Sequence, residues 1–122
     1  MGEYEIRTDA AKNRMYIKLA GFFQEEEIKV AIDDILDQIN KLKPGYDAVS
    51  EISDFKPASP KVATLMMKAQ KALKESGMGR IIRVSGSNVL ARKQFERSGK
   101  EAGYEADMAN SVEDADRILD GM

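Results

Sequence analysis

The sequence predicts a single α/β domain with a mixed, largely parallel β-sheet. Three observations support this prediction: an alternating polar and apolar stretch near the start, later apolar stripes at three- and four-residue spacing, and short apolar segments between those stripes. Alternation is typical of half-buried strands, and such stripes are typical of amphipathic helices. The predicted order is ββαβαβαβα. A hairpin followed by alternating strands and helices favours right-handed crossovers, with about four helices packed on one sheet.

The first two strands are predicted at Tyr4–Thr8 and Met15–Leu19, where polar and apolar side chains alternate. Residues 9–13 between them are rich in turn-forming types. The two strands are therefore predicted to pair as a β-hairpin. Gly21 breaks the alternation and ends the second strand.

The first helix and the third strand are predicted within residues 25–52. Apolar residues recur at helical spacing from Ile28 to Leu42, and the three glutamates at 25–27 occupy a first turn, where the helix dipole favours negative charge. Pro44 and Gly45 end this helix. Tyr46–Ile52 then predicts a strand, although its acidic and small residues are poor strand formers.

The next helix and strand follow the same pattern. An apolar stripe from Val62 to Leu73 predicts the second helix, which ends before the glycines at 77 and 79. Arg80–Ser85 predicts the fourth strand. Ser87 or Asn88 can cap a third helix, which extends to about residue 102.

The last strand and helix complete the predicted domain. Gly103 has the position expected just beyond the end of a helix, and Tyr104–Ala109 predicts a short strand. Ser111 resembles the first residue of a capping box, and apolar residues from Val112 to Leu119 recur at helical spacing. One domain therefore spans residues 1–122.

Composition limits the chemistry available to the chain. It has 122 residues, of which 43% are hydrophobic and 33% charged, as expected for an ordinary globular domain. It contains no cysteine and no histidine, so thiol catalysis, disulfides and the commonest neutral-pH base are excluded. No apolar run approaches the length of a membrane span, and the start is too polar for a signal peptide. We therefore expect a cytoplasmic protein with no transmembrane segment, no cofactor and no catalytic or metal-binding residues.

The charges are unevenly distributed along the chain, although the net charge is only −2. Residues 25–51 carry eight acids and three bases, whereas residues 56–100 carry eleven bases and two acids, a net of +9. The favoured interpretation is that these charges lie on solvated outer faces of helices. The alternative is a basic face that meets an anion or an acidic partner.

The segment Ala58-Ser59-Pro60-Lys61 stands where a strand gives way to a helix. Serine is among the best N-cap residues, because its side-chain oxygen accepts a hydrogen bond from an unpaired N–H of the first turn. Proline suits the first helical position, because its missing N–H has no intrahelical acceptor there. The segment is therefore interpreted first as a helix start.

A second strand-to-helix junction lies at Ser85-Gly86-Ser87-Asn88. Because parallel strands end at the same edge of a sheet, this junction and the one at Ser59 are expected to be neighbours. Unpaired N–H groups at two helix starts, with basic residues nearby, can hold an anion. The alternative is simple capping beside solvated lysines. The proposed anion or partner site comprises Ser59, Lys61, Arg83, Ser85, Gly86, Ser87 and Asn88.

Several segments, in this order, resemble the STAS, or SpoIIAA-like, family, which includes bacterial anti-sigma-factor antagonists and sulfate-transporter cytoplasmic tails. The segment IKLAGFF is similar to the family's strand that ends in a glycine before the first helix. AVSEISDF resembles the strand before its switch loop, and ANSVEDADRIL resembles the start of its last helix. Between these two segments, the family's turn, strand, loop and helix are similar to the segment GMGRIIRVSGSNVLARKQFERSG. The resemblance covers nearly the whole chain.

The family's switch is a serine at the start of the second helix, preceded by an acidic residue and phosphorylated by a partner kinase. Aligned without gaps, the family's acidic residue falls on Ser59 and its switch serine on Pro60. With a shift of one residue, Ser59 takes the switch position and Ala58 replaces the acidic residue. Both alignments break the signature, so the resemblance implies a domain that lacks the usual phosphoserine switch.

The resemblance implies a non-catalytic regulatory or interaction module with a protein partner. The alternative is a binding or carrier domain for a small anionic or amphiphilic ligand, such as a nucleotide, a phosphate or a lipid-like molecule. No nucleic-acid partner is expected, and a homodimer stays open. A ligand that remains bound through purification would favour the alternative.

Overall fold

The structure, a computed structural model, describes residues 2–121 and confirms the predicted order of elements. The strands are β1 (Glu3–Asp9), β2 (Arg14–Ala20), β3 (Asp47–Glu51), β4 (Ile81–Val84) and β5 (Asp107–Ala109). The helices are α1 (Glu25–Ile39), α2 (Pro60–Glu75), α3 (Val89–Ala102) and α4 (Val112–Leu119).

The five strands form one sheet in the same order as in the chain, β1-β2-β3-β4-β5. β1 pairs with β2 antiparallel, which confirms the hairpin, and the other three pairs are parallel. When successive crossovers have the same hand and each strand is added on the same side, the connecting helices fall on one face of the sheet. Accordingly, α1, α2 and α3 share one apolar core.

The main core lies between the sheet and these three helices. Alternate β2 residues Met15, Ile17 and Leu19 point into it. They meet one buried stripe from each helix, represented by Ile28, Val62 and Phe95 among others. Each of these side chains is at least about 95% buried, so this core is the main source of hydrophobic stabilisation.

The opposite face of the sheet is covered by α4. Tyr16 and Val49 belong to this smaller core. At its edge the buried Arg14 donates to Asp116 Oδ1 and Asp120 Oδ1, both at 2.8 Å, and Tyr16 Oη donates to Asp116 Oδ1 at 2.5 Å. These charge-assisted contacts attach α4 to β2. The Arg14 hydrogen bond lowers the pKa of Asp120 below its ordinary value.

The last two strands are shorter than predicted. The N–H of Arg80 donates to the side chain of Asp47, at the start of β3, at 2.8 Å and not to a backbone carbonyl of the sheet, and β4 begins at residue 81. After α3 the N–H of Tyr104 returns to the Gly99 carbonyl at 3.0 Å, with Gly103 at φ +94°. This helix end draws residues 104–106 towards α3, so β5 begins only at residue 107.

None of the helices within residues 2–121 combines the length and apolar character required to cross a membrane.

Candidate functional site at the carboxyl edge of the sheet

The parallel strands bring three loops to one edge of the sheet. Residues 21–24 connect β2 to α1, residues 52–59 connect β3 to α2, and residues 85–88 connect β4 to α3. In open α/β sheets this carboxyl edge is where ligands and partners usually bind. The edge therefore contains both sequence-predicted junctions.

The loop at 52–59 is fixed on one side by the backbone of Gly21. Gly21 N–H donates to the Asp54 carbonyl at 2.8 Å, and Lys56 N–H donates to the Gly21 carbonyl at 3.0 Å. Gly21 adopts φ +80°, a conformation that other residues rarely tolerate. The glycine that ends β2 thus lets the chain turn and bond to the neighbouring loop.

The side chain of Asn88 fixes the same loop on the other side. Its Nδ2 donates to the carbonyls of Ile52, Ser53 and Phe55, at 3.3, 3.1 and 2.7 Å. Its Oδ1 accepts from Ala91 N–H at 3.2 Å, which caps α3. Asn88, and not Ser87, is therefore the cap, and it has a second role that the sequence did not reveal.

Gln94 of α3 completes the support of the loop. Its side chain accepts from Ala58 N–H at 2.9 Å and donates to the Ala58 carbonyl at 3.1 Å. A side-chain amide that pairs with both backbone groups of one residue satisfies them as a neighbouring strand would. No sequence signal pointed to Gln94, because this contact joins residues 36 positions apart.

The predicted helix start at Ser59 has the expected geometry. Ser59 is the N-cap of α2, its Oγ accepts from Val62 N–H at 3.4 Å, and Pro60 is the first helical residue. Ser59 is half-buried, whereas Pro60 and Lys61 are exposed. Because the cap bond is long, its contribution lies at the lower end of the range for such caps.

The residues of the second junction have different environments. Ser85 is buried, and its carbonyl accepts from Asn88 N–H at 2.9 Å, which closes the turn. Gly86 (φ +55°) and Ser87 are exposed. The structure thus brings Asn88 against the loop that leads to Ser59, whereas the guanidinium of Arg83 is buried beside the Phe95 ring of α3.

Three large apolar side chains are exposed at the loops and helix start of this edge. Phe22 is 42% exposed in the first loop, and Val89 and Leu90, at the start of α3, are 46% and 66% exposed. Lys56, in the loop at 52–59, and Lys61, in the first turn of α2, are also exposed at this edge, and none of the ion pairs among residues 2–121 involves either. We call Phe22, Lys56, Lys61, Val89 and Leu90 the carboxyl-edge surface. It combines exposed apolar side chains with positive charge at the carboxyl ends of three neighbouring strands, β2, β3 and β4.

Arg83 occupies a second polar location beneath α3. It is only 1% exposed, and its Nε and Nη2 have no hydrogen-bond partner. Its Cζ lies 5.4 Å from the centre of the Phe95 ring. That cation–π contact gives about 1 to 2 kcal/mol, whereas a buried unpaired charge costs on the order of several kcal/mol. Burial accordingly lowers the pKa of Arg83.

Two further buried polar groups without partners lie around the same space. Gln70 Oε1 of α2 and the hydroxyl of Tyr104 are enclosed and make no hydrogen bond within residues 2–121. Burial is the main reason that the pKa of Tyr104 is raised to about 12, while the charge of Arg83 and the nearby Gln70 side chain act in the opposite direction. The Gln70 amide is thus a neighbour of the phenol, although the two are not within hydrogen-bond geometry. The sequence signal for this cluster was an arginine in the middle of an apolar strand and a glutamine on the apolar stripe of α2.

No group of three or more acidic residues within residues 2–121 is arranged to hold a metal ion. The chain has no histidine or cysteine.

Known structures identify the architecture. Nine solved chains match the fold, and one of them is the anti-sigma factor antagonist SpoIIAA in its unphosphorylated form. The match covers 98% of each chain with a TM-score of 0.63 and 15% sequence identity. The protein has the STAS fold of SpoIIAA. No family model matches the sequence, and no curated protein matches it.

This match confirms the predicted STAS-like α/β fold. At 15% identity it concerns the course of the backbone and not the residues of a site.

Proposed function

We propose that the protein is a regulatory protein-interaction module of STAS type that works by binding rather than by catalysis. In this proposal a partner protein docks on the carboxyl-edge surface, and no phosphoserine switch controls the docking. The fold supports this proposal, because SpoIIAA, which shares it, is an anti-sigma factor antagonist.

The main supporting observation is the exposure of Phe22, Val89 and Leu90 around a loop that is held on both sides. Exposed aromatic and aliphatic side chains that cluster on a rigid surface are typical of interaction sites. The exposed Lys56 and Lys61 at the same edge favour a partner that carries acidic groups beside an apolar patch, since complementary charges speed association and select partners.

The missing acidic residue beside Ser59 supports the second half of the proposal. Ala58 precedes Ser59, and both backbone groups of Ala58 are paired with Gln94. Pro60 follows directly and begins α2. Ser59 is thus engaged in capping, which is a sufficient structural reason for a serine at this position.

The test compares partner capture by the wild-type protein and by the double variant Phe22→Ser/Leu90→Ser. Extract of the native cell is passed over each, captured proteins are identified by mass spectrometry, and binding is then measured with the purified partner. We expect the double variant to lose the partner. The matched control is Val30→Ser, which removes a side chain that is 57% exposed on α1.

Equal binding by the wild type and the double variant, or an equal loss in Val30→Ser, would contradict this docking surface. Native mass spectrometry of the same preparations tests the alternative of a ligand carrier. A small molecule that co-purifies in stoichiometric amount, with no protein captured, would favour the carrier function.

A further inference from the structure

We infer that Arg83 is the anchor of a binding site for a small oxyanion, a carboxylate or a phosphate group, in the depression between α3 and residues 104–106. This site is separate from the carboxyl-edge surface, because it opens beside the second half of α3. It does not depend on the protein-interaction function proposed above.

The guanidinium of Arg83 has no anionic partner within hydrogen-bond distance among residues 2–121, although the charge of Glu96 on α3 partly offsets the lowering of its pKa by burial. Nε and Nη2 lie on the same edge of the planar group, which is the edge that binds the two oxygens of a carboxylate or phosphate in parallel. Both nitrogens are enclosed and unpaired. None of the ion pairs among residues 2–121 includes Arg83. Buried arginines are normally paired, so an unpaired one points to a missing acceptor.

The space next to Arg83 has the size and the charge for such a ligand. The depression measures about 590 Å³, within the usual range of small-molecule sites. Arg83 and Tyr104 form part of its wall, together with three bases, Lys93, Arg97 and Lys100, and two acids, Glu96 and Glu105. With four bases and two acids, the lining is net positive and attracts anions.

Arg83 and Tyr104 also line a smaller inner cavity of about 40 Å³ under the helices. Gln70, Ser50 and apolar side chains of the sheet and helices complete its wall. The unpaired hydroxyl of Tyr104 can donate to an anion oxygen held by Arg83, because the phenol is neutral at physiological pH. The inner cavity has room for a few atoms or for one or two waters, so the body of a ligand must occupy the outer depression.

Gly99 allows Tyr104 to pack closely against α3, where the tyrosine lines both the outer depression and the inner cavity. A Cβ at this position would lie 3.3 Å from Tyr104 Cε1 and 3.5 Å from its carbonyl oxygen. The ring of Tyr104 therefore packs directly against α3. A glycine in a helix interior lowers helix stability, and here it allows the tyrosine to form the wall of the site.

The decisive measurement follows the Nε–H signal of Arg83 in ¹H–¹⁵N spectra of the wild-type protein. The probes are inorganic phosphate, acetate and octanoate, each titrated to tens of millimolar at constant ionic strength, with chloride as the reference anion. We expect the Arg83 signal and the amide of Tyr104 to shift with at least one probe, and to saturate. Tighter binding of phosphate than of the two carboxylates would indicate a phosphate headgroup, and the reverse order would indicate a carboxylate. Tighter binding of octanoate than of acetate would indicate a ligand with an apolar body.

Two variants and one control separate this site from general attraction to a basic surface. Arg83→Gln should weaken binding at least about tenfold, because the buried fork is lost. Tyr104→Phe should weaken it less and keep the fold. Arg97→Gln removes a rim charge of the same depression, and it should change binding about twofold or less.

The inference is overturned if the Arg83 signal does not move with any probe, because the enclosed nitrogens are then satisfied by water alone. It is equally overturned if Arg97→Gln weakens binding as much as Arg83→Gln. Because the first result needs only the wild-type protein, a variant that fails to fold leaves the test intact.

Discussion

The side-chain nitrogen of Asn88 lies 2.7 Å from the carbonyl oxygen of Phe55, and this contact ties the start of α3 to the loop that leads into α2. The same side chain caps α3 through its oxygen. One residue therefore sets the position of two neighbouring helix starts at the carboxyl edge.

Asn88→Asp separates these two roles. The carboxylate still accepts from Ala91 N–H, but it cannot donate to the three carbonyls and instead places negative charge against them. We expect the free energy of unfolding to fall by about 1 to 3 kcal/mol, measured by urea denaturation. The backbone amides of residues 53–56 and of Ala58 should also exchange faster with solvent. Asn88→Ser is the control: it loses the contacts to the three carbonyls without adding charge, so it should lower the free energy of unfolding by less. If Asn88→Asp changes the free energy of unfolding by under about 0.5 kcal/mol, the contacts between Asn88 and the loop contribute little to stability.

Ser59→Ala tests the cap of α2. Since the Ser59 Oγ to Val62 N distance is 3.4 Å, we expect a loss of about 0.5 to 1 kcal/mol in unfolding free energy. Thr64→Ala is the control, because Thr64 bonds to the Pro60 carbonyl from an exposed helical position and its removal should be nearly neutral. Stoichiometric phosphate on Ser59 in protein from its native cell would overturn the view that this serine is only a cap.

Asp120→Asn should alter stability in acid. Its pKa is lowered mainly by the hydrogen bond from Arg14, so the folded state holds the carboxylate longer than the unfolded state does. The resulting stabilisation is complete above the ordinary pKa of 3.8 and is lost as pH falls through the lowered value. Unfolding free energy measured from pH 7 downwards should therefore decline less steeply in the variant.

Asp37→Asn is the control for that experiment. Asp37 is exposed on α1, and none of the ion pairs among residues 2–121 includes it. If Asp37→Asn reduces the decline of unfolding free energy in acid as much as Asp120→Asn does, the contact between Arg14 and Asp120 makes no specific contribution to that decline.

Tyr104 should make the protein sensitive to alkali. Its pKa is raised from 10.0 to about 12, chiefly by burial, so the unfolded state loses this proton first as pH rises. Stability should fall between pH 10 and 12, by on the order of 2 kcal/mol for this group. Tyr104→Phe should remove that part of the decline, as seen in unfolding free energies against pH. Tyr4→Phe, which alters an exposed phenol of β1, should leave the decline in place.

The order of strands and helices was predictable because it is encoded locally. Three patterns can be recognised from neighbouring residues alone: the apolar stripe from Val62 to Leu73, the alternation from Met15 to Leu19, and the Ser59-Pro60 helix start. The structure follows all three, with α2 beginning at Pro60 and β2 containing the alternating segment. Strand ends were less predictable, since β5 depends on how Tyr104 packs against Gly99.

The details of the candidate sites depended on contacts between distant residues. The bond between Gln94 and Ala58 spans 36 positions, and no periodicity encodes it. The sequence predicts that Arg83 belongs to the anion or partner site at the carboxyl edge, as one of the basic residues near the two helix starts. Side chains alternate along a strand, so Arg83 and Ile81 lie on the face covered by α1, α2 and α3, whereas Ile82 and Val84 lie on the face covered by α4. The face of the strand on which a side chain lies, and not its distance along the sequence, therefore decides which residues it can contact.

The sheet adds its strands in the order in which the ribosome delivers them. Each strand after the first pairs with a strand that has already been synthesised. The connecting helices α1, α2 and α3 pack on the same face of the sheet. Short sequence separation between partners favours rapid folding. The contact of Arg14 with Asp120, 106 positions apart, has to wait for α4. During synthesis the growing sheet therefore has one uncovered face until its last helix arrives, and we expect nascent chains that lack α4 to be the ones that engage chaperones.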